Sequence, residues 1–137
     1  DRAGMRARLF LPVLVALAIG SMAPALADPA FGMWRSEPDD RGIVTMIQIV
    51  DCDDRICGRL VSVYDAAGRP LDSPDAGRAY IWGMEPRGSG QYRDGRQWVP
   101  ERGQDFAARM VLEGDRLTVT HCSYLVICRD QVWTRAN

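Results

Sequence analysis

The sequence predicts an all-β domain: a small antiparallel barrel of about eight short strands, preceded by a helical export leader. Three observations carry this. Apolar residues alternate with polar ones through most of the chain, the period of a half-buried strand. No stretch after the first 27 residues has a helical period. Turn-forming Gly, Asp and Pro residues recur at close spacing, as in antiparallel meanders and barrels.

The leader comes first in the chain. Arg2, Arg6 and Arg8 precede an apolar run from Leu9 to Gly20, and small residues lead to Pro24-Ala-Leu-Ala27. A basic start, an apolar middle and an A-x-A site form a cleavable secretory signal. The start is placed at Met5 and cleavage after Ala27. The apolar run is about a dozen residues, short of the roughly 20 that a spanning helix needs, and it contains Pro12. No stable membrane span is therefore expected after cleavage, and the location expected is periplasmic or secreted.

Cleavage leaves Asp28 to Asn137, enough for one small domain. The chain has no lysine. Its 17 basic residues are all arginine, three of them in the leader, whereas 17 of its 18 acidic residues lie beyond it, so the remaining domain carries about −3. An acidic domain without a basic stripe argues against a nucleic-acid partner.

The strands are read in order. Phe31 to Arg35 is the first, and Ile43 to Val50 the second, with Ile43, Ile47 and Ile49 on one face. Ile56 to Tyr64 is the third. Asp65 to Gly90, rich in Pro, Gly, Asp and Arg, reads as irregular apart from an apolar island at Tyr80–Met84. Gln97 to Val99 is a short strand. Phe106 to Leu112 turns at Glu113-Gly114-Asp115 into Leu117 to His121. Tyr124 to Cys128 and Gln131 to Thr134 finish the chain. With strands of roughly five to six residues, any cavity is expected to be shallow.

All four cysteines, Cys52, Cys57, Cys122 and Cys128, follow the leader. An even count in a small exported domain reads as disulfides. Three pairings are possible; the local one, Cys52–Cys57 with Cys122–Cys128, closes two hairpins near their ends. A four-thiolate zinc site is the rival, but C-x4-C and C-x5-C are looser than the usual spacing and the compartment is oxidising. No metal and no cofactor is expected. The acidic run Asp51, Asp53, Asp54 and the segment Asp39-Asp40-Arg41-Gly42 read as solvated turns.

Particular residues resemble a bacterial exported family known only as domain of unknown function 2147. They are Gly32-Met-Trp34, Cys57-Gly-Arg-Leu-Val61, Trp98-Val-Pro100 through Gly103 to Phe106, and the closing Val132-Trp133-Thr-Arg135. The chain departs from that pattern at Trp98 and Phe106, which stand where the family has tyrosines, and at His121-Cys122. The resemblance implies a lipocalin-like barrel with no assigned catalytic residues. It also implies a barrel-closing pair, Trp34 on the first strand and Arg135 on the last, joined by a guanidinium–indole contact.

Function is weighed among three classes. The leading one is a monomeric, non-enzymatic envelope barrel that binds a small apolar ligand. Tyr64, Tyr80, Trp82, Tyr92, Trp98 and His121 are the candidate lining, although buried aromatics more often simply fill space. The second is an interaction or inhibitor module acting on an envelope protein. The third is an enzyme built on His121, the only histidine. It lacks a recognisable nucleophile, since Ser89 in Gly88-Ser-Gly90 has no strand-to-helix context.

Overall fold

The computed structural model describes residues 4, 11–17, 20, 27–124 and 126–137. Among these the chain forms nine strands and no helix. They are β1 (Gly32–Ser36), β2 (Val44–Cys52), β3 (Arg55–Tyr64), β4 (Pro70–Leu71), β5 (Ala79–Gly88), β6 (Gln91–Val99), β7 (Gln104–Glu113), β8 (Arg116–Ser123) and β9 (Ile127–Arg135). Eight of them pair antiparallel around a closed ring, and β4 is a two-residue appendage on β3. The ring is a meander closed between β1 and β9, where Trp34 faces Arg135 and Ser36 faces Trp133. Closure leaves no unpaired sheet edge in the barrel itself.

The interior is packed. Trp34, Ile47, Ile49, Leu60, Ile81, Met84, Met110, Leu117, Val119 and Trp133 are essentially inaccessible. The indoles of Trp34 and Trp133 are satisfied, Trp34 Nε1 donating to the Ala30 carbonyl at 2.8 Å and Trp133 Nε1 to Gln131 Oε1 at 2.8 Å, whereas the Trp98 Nε1 is buried without a partner among the described residues. Gly58 is the small residue that lets this core close, because a Cβ there would lie 2.7 Å from Ile81 Cγ1 and 2.9 Å from Ile47 Cγ2.

The meander gives the barrel two unlike ends. At the base, Asp28 to Phe31 crosses under the barrel. Asp28 Oδ1 accepts from the Tyr92 hydroxyl at 2.6 Å and from the Ala30 N–H at 2.8 Å. At the mouth lie the β1–β2 loop, the β4–β5 loop, the turn after β6 and the β8–β9 hairpin end. Each end carries a disulfide. Cys52–Cys57 spans the β2–β3 hairpin at the base, where Asp53 and Asp54 both take positive φ in a two-residue turn. Cys122–Cys128 joins directly opposite residues of β8 and β9 at the mouth.

Several sequence expectations need correction. The full barrel strands other than β1 run eight to ten residues, longer than expected. Residues 79–88 are not irregular: they form β5, and β6 extends from Gln91 well ahead of Gln97. Register shifts on both flanks of β5, with Gly83 and Asp94 at positive φ, break the alternation there. Ile43 precedes β2 but packs against the core on the same side as Ile47 and Ile49, because the bulge opposite Met46 and Ile47 inserts its extra residue in β3, at Val61. The chain end is one strand, β9, and Tyr124 sits in a turn at φ 54°. Residues 11–17 are exposed and carry no regular secondary structure. Most of the segment expected to be an export leader, with Arg2, Arg6 and Arg8 at its start and residues 21–26 before the expected cleavage position, lies outside the described residues. Among the described residues no helix is long and apolar enough to cross a membrane.

Candidate functional site

The site is built at the mouth, where inward-facing polar side chains cap the apolar core. On β9 the inward positions pass from Trp133 through Gln131 to Arg129, opposite Leu117, Val119 and His121 on β8. On β6, Gln97 and Val99 complete the wall, and Tyr80 reaches in from β5 with its ring 5.8 Å from that of Trp133. The β1–β2 loop lies across this wall. Its shape is set by Asp39, whose Oδ1 accepts from the N–H groups of Arg41 and Ile43 at 2.8 and 2.9 Å. Glu37 Oε1 ties the loop to β9 by accepting from the Val132 N–H at 3.0 Å.

Two cavities open here, and they share Asp39, Arg41, Tyr80, Glu101 and Gln131. The smaller, of about 240 Å³, runs toward Val63 and the β4–β5 loop at Leu71–Asp75. Part of the stretch expected to be irregular thus flanks the mouth. The larger, of about 460 Å³, lies against Gln97, Val99, Arg102, His121 and Arg129. That is a size typical of small-molecule sites. The core beneath is filled, so what the barrel offers is a cleft at its end.

The cleft is polar and incompletely satisfied. Gln97 is 3% exposed, yet its Oε1 has no hydrogen-bond partner among the described residues, and neither has His121 Nδ1. Unpaired buried polar atoms are uncommon in folded proteins, and each asks for an explanation. Burial holds the Tyr80 hydroxyl protonated, raised to about 12, with the Glu101 carboxylate adding to the effect. Burial also pushes the His121 imidazole below its usual value, helped by the guanidinium groups of Arg129 and Arg102. His121 is therefore neutral at pH 7. Most carboxylates at the rim are already engaged: Asp39 by Arg41, Asp130 by the Thr120 hydroxyl at 2.6 Å, and Glu101 by Arg41 at 3.9 Å.

Of the six expected lining residues, only Tyr80 and His121 border these cavities. Tyr92 is buried at the base against Asp28. Trp98 lies outside the mouth cavities with the Arg78 guanidinium stacked 3.5 Å over its ring. Tyr64 pairs weakly with Ser62 at 3.4 Å, and Trp82 is half-buried on β5, facing away from Ile81. The residues missed from sequence were Gln97, Arg102 and Arg129. Gln97 carried one legible signal, a lone amide on the inward parity of an otherwise apolar strand end, Gln97-Trp98-Val99. Ser89 and His121 sit at opposite ends of the barrel, so they form no catalytic pair. Among the described residues no group of side chains is arranged to hold a metal ion.

The base shows a different chemistry. The Arg135 guanidinium lies 4.4 Å from the Trp34 ring centre. It also donates to the Pro29 carbonyl at 2.8 Å, the Phe31 carbonyl at 3.3 Å and Asp115 Oδ1 at 3.0 Å. This arrangement fastens the two ends of the chain together.

Comparison with known proteins agrees with the fold. A solved structure, protein HP1028 from the human pathogen Helicobacter pylori, described as belonging to the lipocalin family, superposes with a TM-score of 0.62. The match covers 77% of this chain and 82% of that one at 12% identity, a likeness of fold alone. A search of the curated proteins finds no match. The model of the family described as "Uncharacterized protein conserved in bacteria (DUF2147)" matches residues 32–135, all of the barrel, and the chain belongs to that family.

Proposed function

We propose that this protein is an exported, non-enzymatic binding module of the bacterial envelope that takes a small polar ligand at the barrel mouth. The observation that carries the reading is a cleft of about 460 Å³ above a filled core, lined mainly by polar and charged residues, Gln97 and His121 among them. A fatty-acid-like ligand would need a deep apolar cavity. Here Trp34, Trp133, Met84 and Met110 occupy that volume, so the apolar ligand expected from the aromatic content gives way to a polar one. The two disulfides fit an oxidising compartment, in keeping with the leader. Among the described residues no serine or cysteine thiol is paired with His121 as a nucleophile, which favours binding over catalysis.

The test is a fragment screen by NMR against the labelled protein, with polar and apolar sets. Shifts clustering on Gln97, Tyr80 and His121 with polar fragments support the reading. Recovery of a tightly bound lipid after gentle purification would overturn it.

One observation favours a second reading, an interaction or inhibitor module. At the β8–β9 end Tyr124, Val126 and Ile127 are 88%, 83% and 59% exposed beside the Cys122–Cys128 bridge. Exposed apolar residues grouped on a pinned hairpin resemble an interface anchor. If this reading holds, Val126→Asp with Ile127→Asp abolishes crosslinking to one envelope protein. Equal crosslinking by the wild type and the variant would remove it.

A further inference from the structure

We propose that Cys122–Cys128 is a thiol-exchange site: an acid-bearing thiol seated in the groove beside it attacks Cys122 and expels Cys128. The groove shares Arg102 with the mouth cleft but opens on the outer face of the sheet, and the exchange does not depend on the polar ligand read at the mouth. The other bridge, Cys52–Cys57, is the inert one.

The register lays out the approach. Arg96, Ala107, Cys122 and Cys128 stand opposite one another on β6, β7, β8 and β9, a single row across the sheet. An open groove of about 700 Å³ lies over the first part of that row, bordered by Arg96, Arg102, Phe106, Ala107, Cys122 and Tyr124. Which sulfur of a bridge is attacked depends on access. A thiolate coming from the groove crosses Ala107, an exposed residue with only a methyl group to offer, and meets Cys122 first. On the far side Cys128 is exposed, so its sulfur leaves into solvent next to Arg129.

Charge separates the two bridges. No carboxylate borders the groove. Arg109 Nη1 lies 3.7 Å from Cys122 Sγ, and neither Arg109 nor Arg102 is ion-paired among the described residues. Beside the groove Asp105 is held by Arg96 at 2.7 Å, and beside the bridge Asp130 is held by the Thr120 hydroxyl at 2.6 Å. Cys52–Cys57 has the reverse setting: exposed Asp51, Asp53 and Asp54 flank Cys52, and Arg55 is drawn to Glu85 at 3.6 Å. An attacking thiolate is an anion, so it is drawn to the first bridge and repelled from the second. Arg102, with its guanidinium 5.7 Å from the Phe106 ring centre, is placed to take a carboxylate of the incoming molecule.

The chemistry balances. The thiolate sulfur bonds to Cys122 Sγ, the bond between Cys122 and Cys128 breaks, and its electron pair leaves on Cys128 Sγ, which takes a proton from water. A second thiolate then attacks the sulfur of the first, releasing Cys122 and an external disulfide, so the electrons that reduce the bridge come from the thiols. Exchange frees the strand ends that carry His121 and Arg129, and thereby loosens one wall of the mouth.

The probes are glutathione, a tripeptide thiol of net negative charge, and cysteamine, a thiol with an ammonium group and no carboxylate. The oxidised protein is exposed to each, trapped with an alkylating agent and mapped by mass spectrometry. Cys52–Cys57 is the internal control: global unfolding exposes both bridges alike, so a preference between them reads the folded state. Glutathione should open Cys122–Cys128 about 10-fold faster than Cys52–Cys57, with the mixed disulfide on Cys122 and the alkyl label on Cys128. Cysteamine should lose that preference. Arg102→Gln combined with Arg109→Gln, both at exposed positions, should slow glutathione at this bridge about 10-fold and cysteamine much less. Ala107→Leu should slow both thiols there and neither at Cys52–Cys57. Equal glutathione rates at the two bridges, or a mixed disulfide on Cys128, would overturn the site. The same preference from cysteamine as from glutathione would overturn the acid-bearing class of thiol.

Discussion

The Arg135 guanidinium lies over the Trp34 indole at 4.4 Å while donating to the backbone of the segment that precedes Trp34. One side chain near the C-terminus thus covers the largest core residue of β1 and secures the strap beneath it. Trp34 completes the circuit by donating to Ala30 within that strap. Replacing Arg135 with Ala removes the stacking and the contacts to Pro29, Phe31 and Asp115. The expected loss is roughly 2–4 kcal/mol, read as a lower urea midpoint. Arg135→Lys should recover only part of it, because an ammonium cannot reach two carbonyls and cover the ring together. A loss below about 0.5 kcal/mol in Arg135→Ala would show that the barrel closes without this contact.

Close approach inside the barrel leads to a second expectation. Gly58 takes no unusual φ, so its reason for being glycine is space alone: Ile81 and Ile47 fill the place of its Cβ. Gly58→Ala should cost about 1–3 kcal/mol by overpacking. Combining it with Ile81→Val should return part of that cost, and a double-mutant cycle measures the coupling. Gly90→Ala is expected to be worse, since Gly90 has φ +74° and an added Cβ would run into the Leu112 carbonyl oxygen, backbone that cannot step aside as a side chain can. If Gly90→Ala melts with the wild type, the β5–β6 turn must rearrange freely.

The disulfides are expected to act locally. They close loops with sequence separations of 5 and 6, and chain entropy gives each about 2 kcal/mol. Paired Cys→Ser variants should therefore lower stability by similar amounts, at opposite ends of the molecule. Hydrogen exchange separates them. Loss of Cys122–Cys128 should speed exchange at the β8–β9 end beside the mouth, and loss of Cys52–Cys57 at the base hairpin. Uniform acceleration across the barrel in either variant would show that the bridges hold the whole fold.

Much of this barrel could be read from residue pattern, and the exceptions have a common cause. β7, β8 and the first half of β3 alternate, so Leu60, Met110, Leu117 and Val119 declare their inward face, whereas the extra residue at Val61 moves the inward parity of β3 to Val63. The exported-family resemblance placed Trp34 and Arg135 at the two chain ends. β5 and the first half of β6 stayed hidden because Gly83 and Asp94 sit at register shifts that reset the period, and Arg93, Asp94 and Arg96 make the strand look like loop. The candidate site was harder still. Aromatic residues were the visible signal, but Tyr92 and Trp98 went to the base and the outer surface. The groups that gather at the mouth, Gln97, Arg102, His121 and Arg129, come from three strands and a turn, and no local spacing links them.

The His121 environment sets the final expectation, a pH dependence. Burial and two nearby guanidinium groups lower its folded-state pKa below the unfolded value of about 6.5. Between those two values the unfolded chain binds more protons than the folded one, so stability rises with pH through that window. The His121 contribution is fully present above about pH 6.5 and is lost as pH falls toward the folded-state pKa. Asp39 and Asp65 add a separate loss further down. Burial raises the Asp39 carboxyl, but the N–H groups of Ile43 and Arg41 together with the Arg41 guanidinium outweigh it, and the Arg69 N–H, the Arg69 guanidinium and the Ala67 N–H hold Asp65, so both carboxyl groups titrate below their ordinary value. The stability they confer is present above about pH 4 and disappears below it. Urea midpoints from pH 8 to 5 should thus fall in the wild type and flatten in His121→Ala. The imidazole signals should titrate below the free value in the folded protein. A His121 midpoint at or above about 6.5 would mean that a carboxylate, not Arg102 and Arg129, governs the cleft.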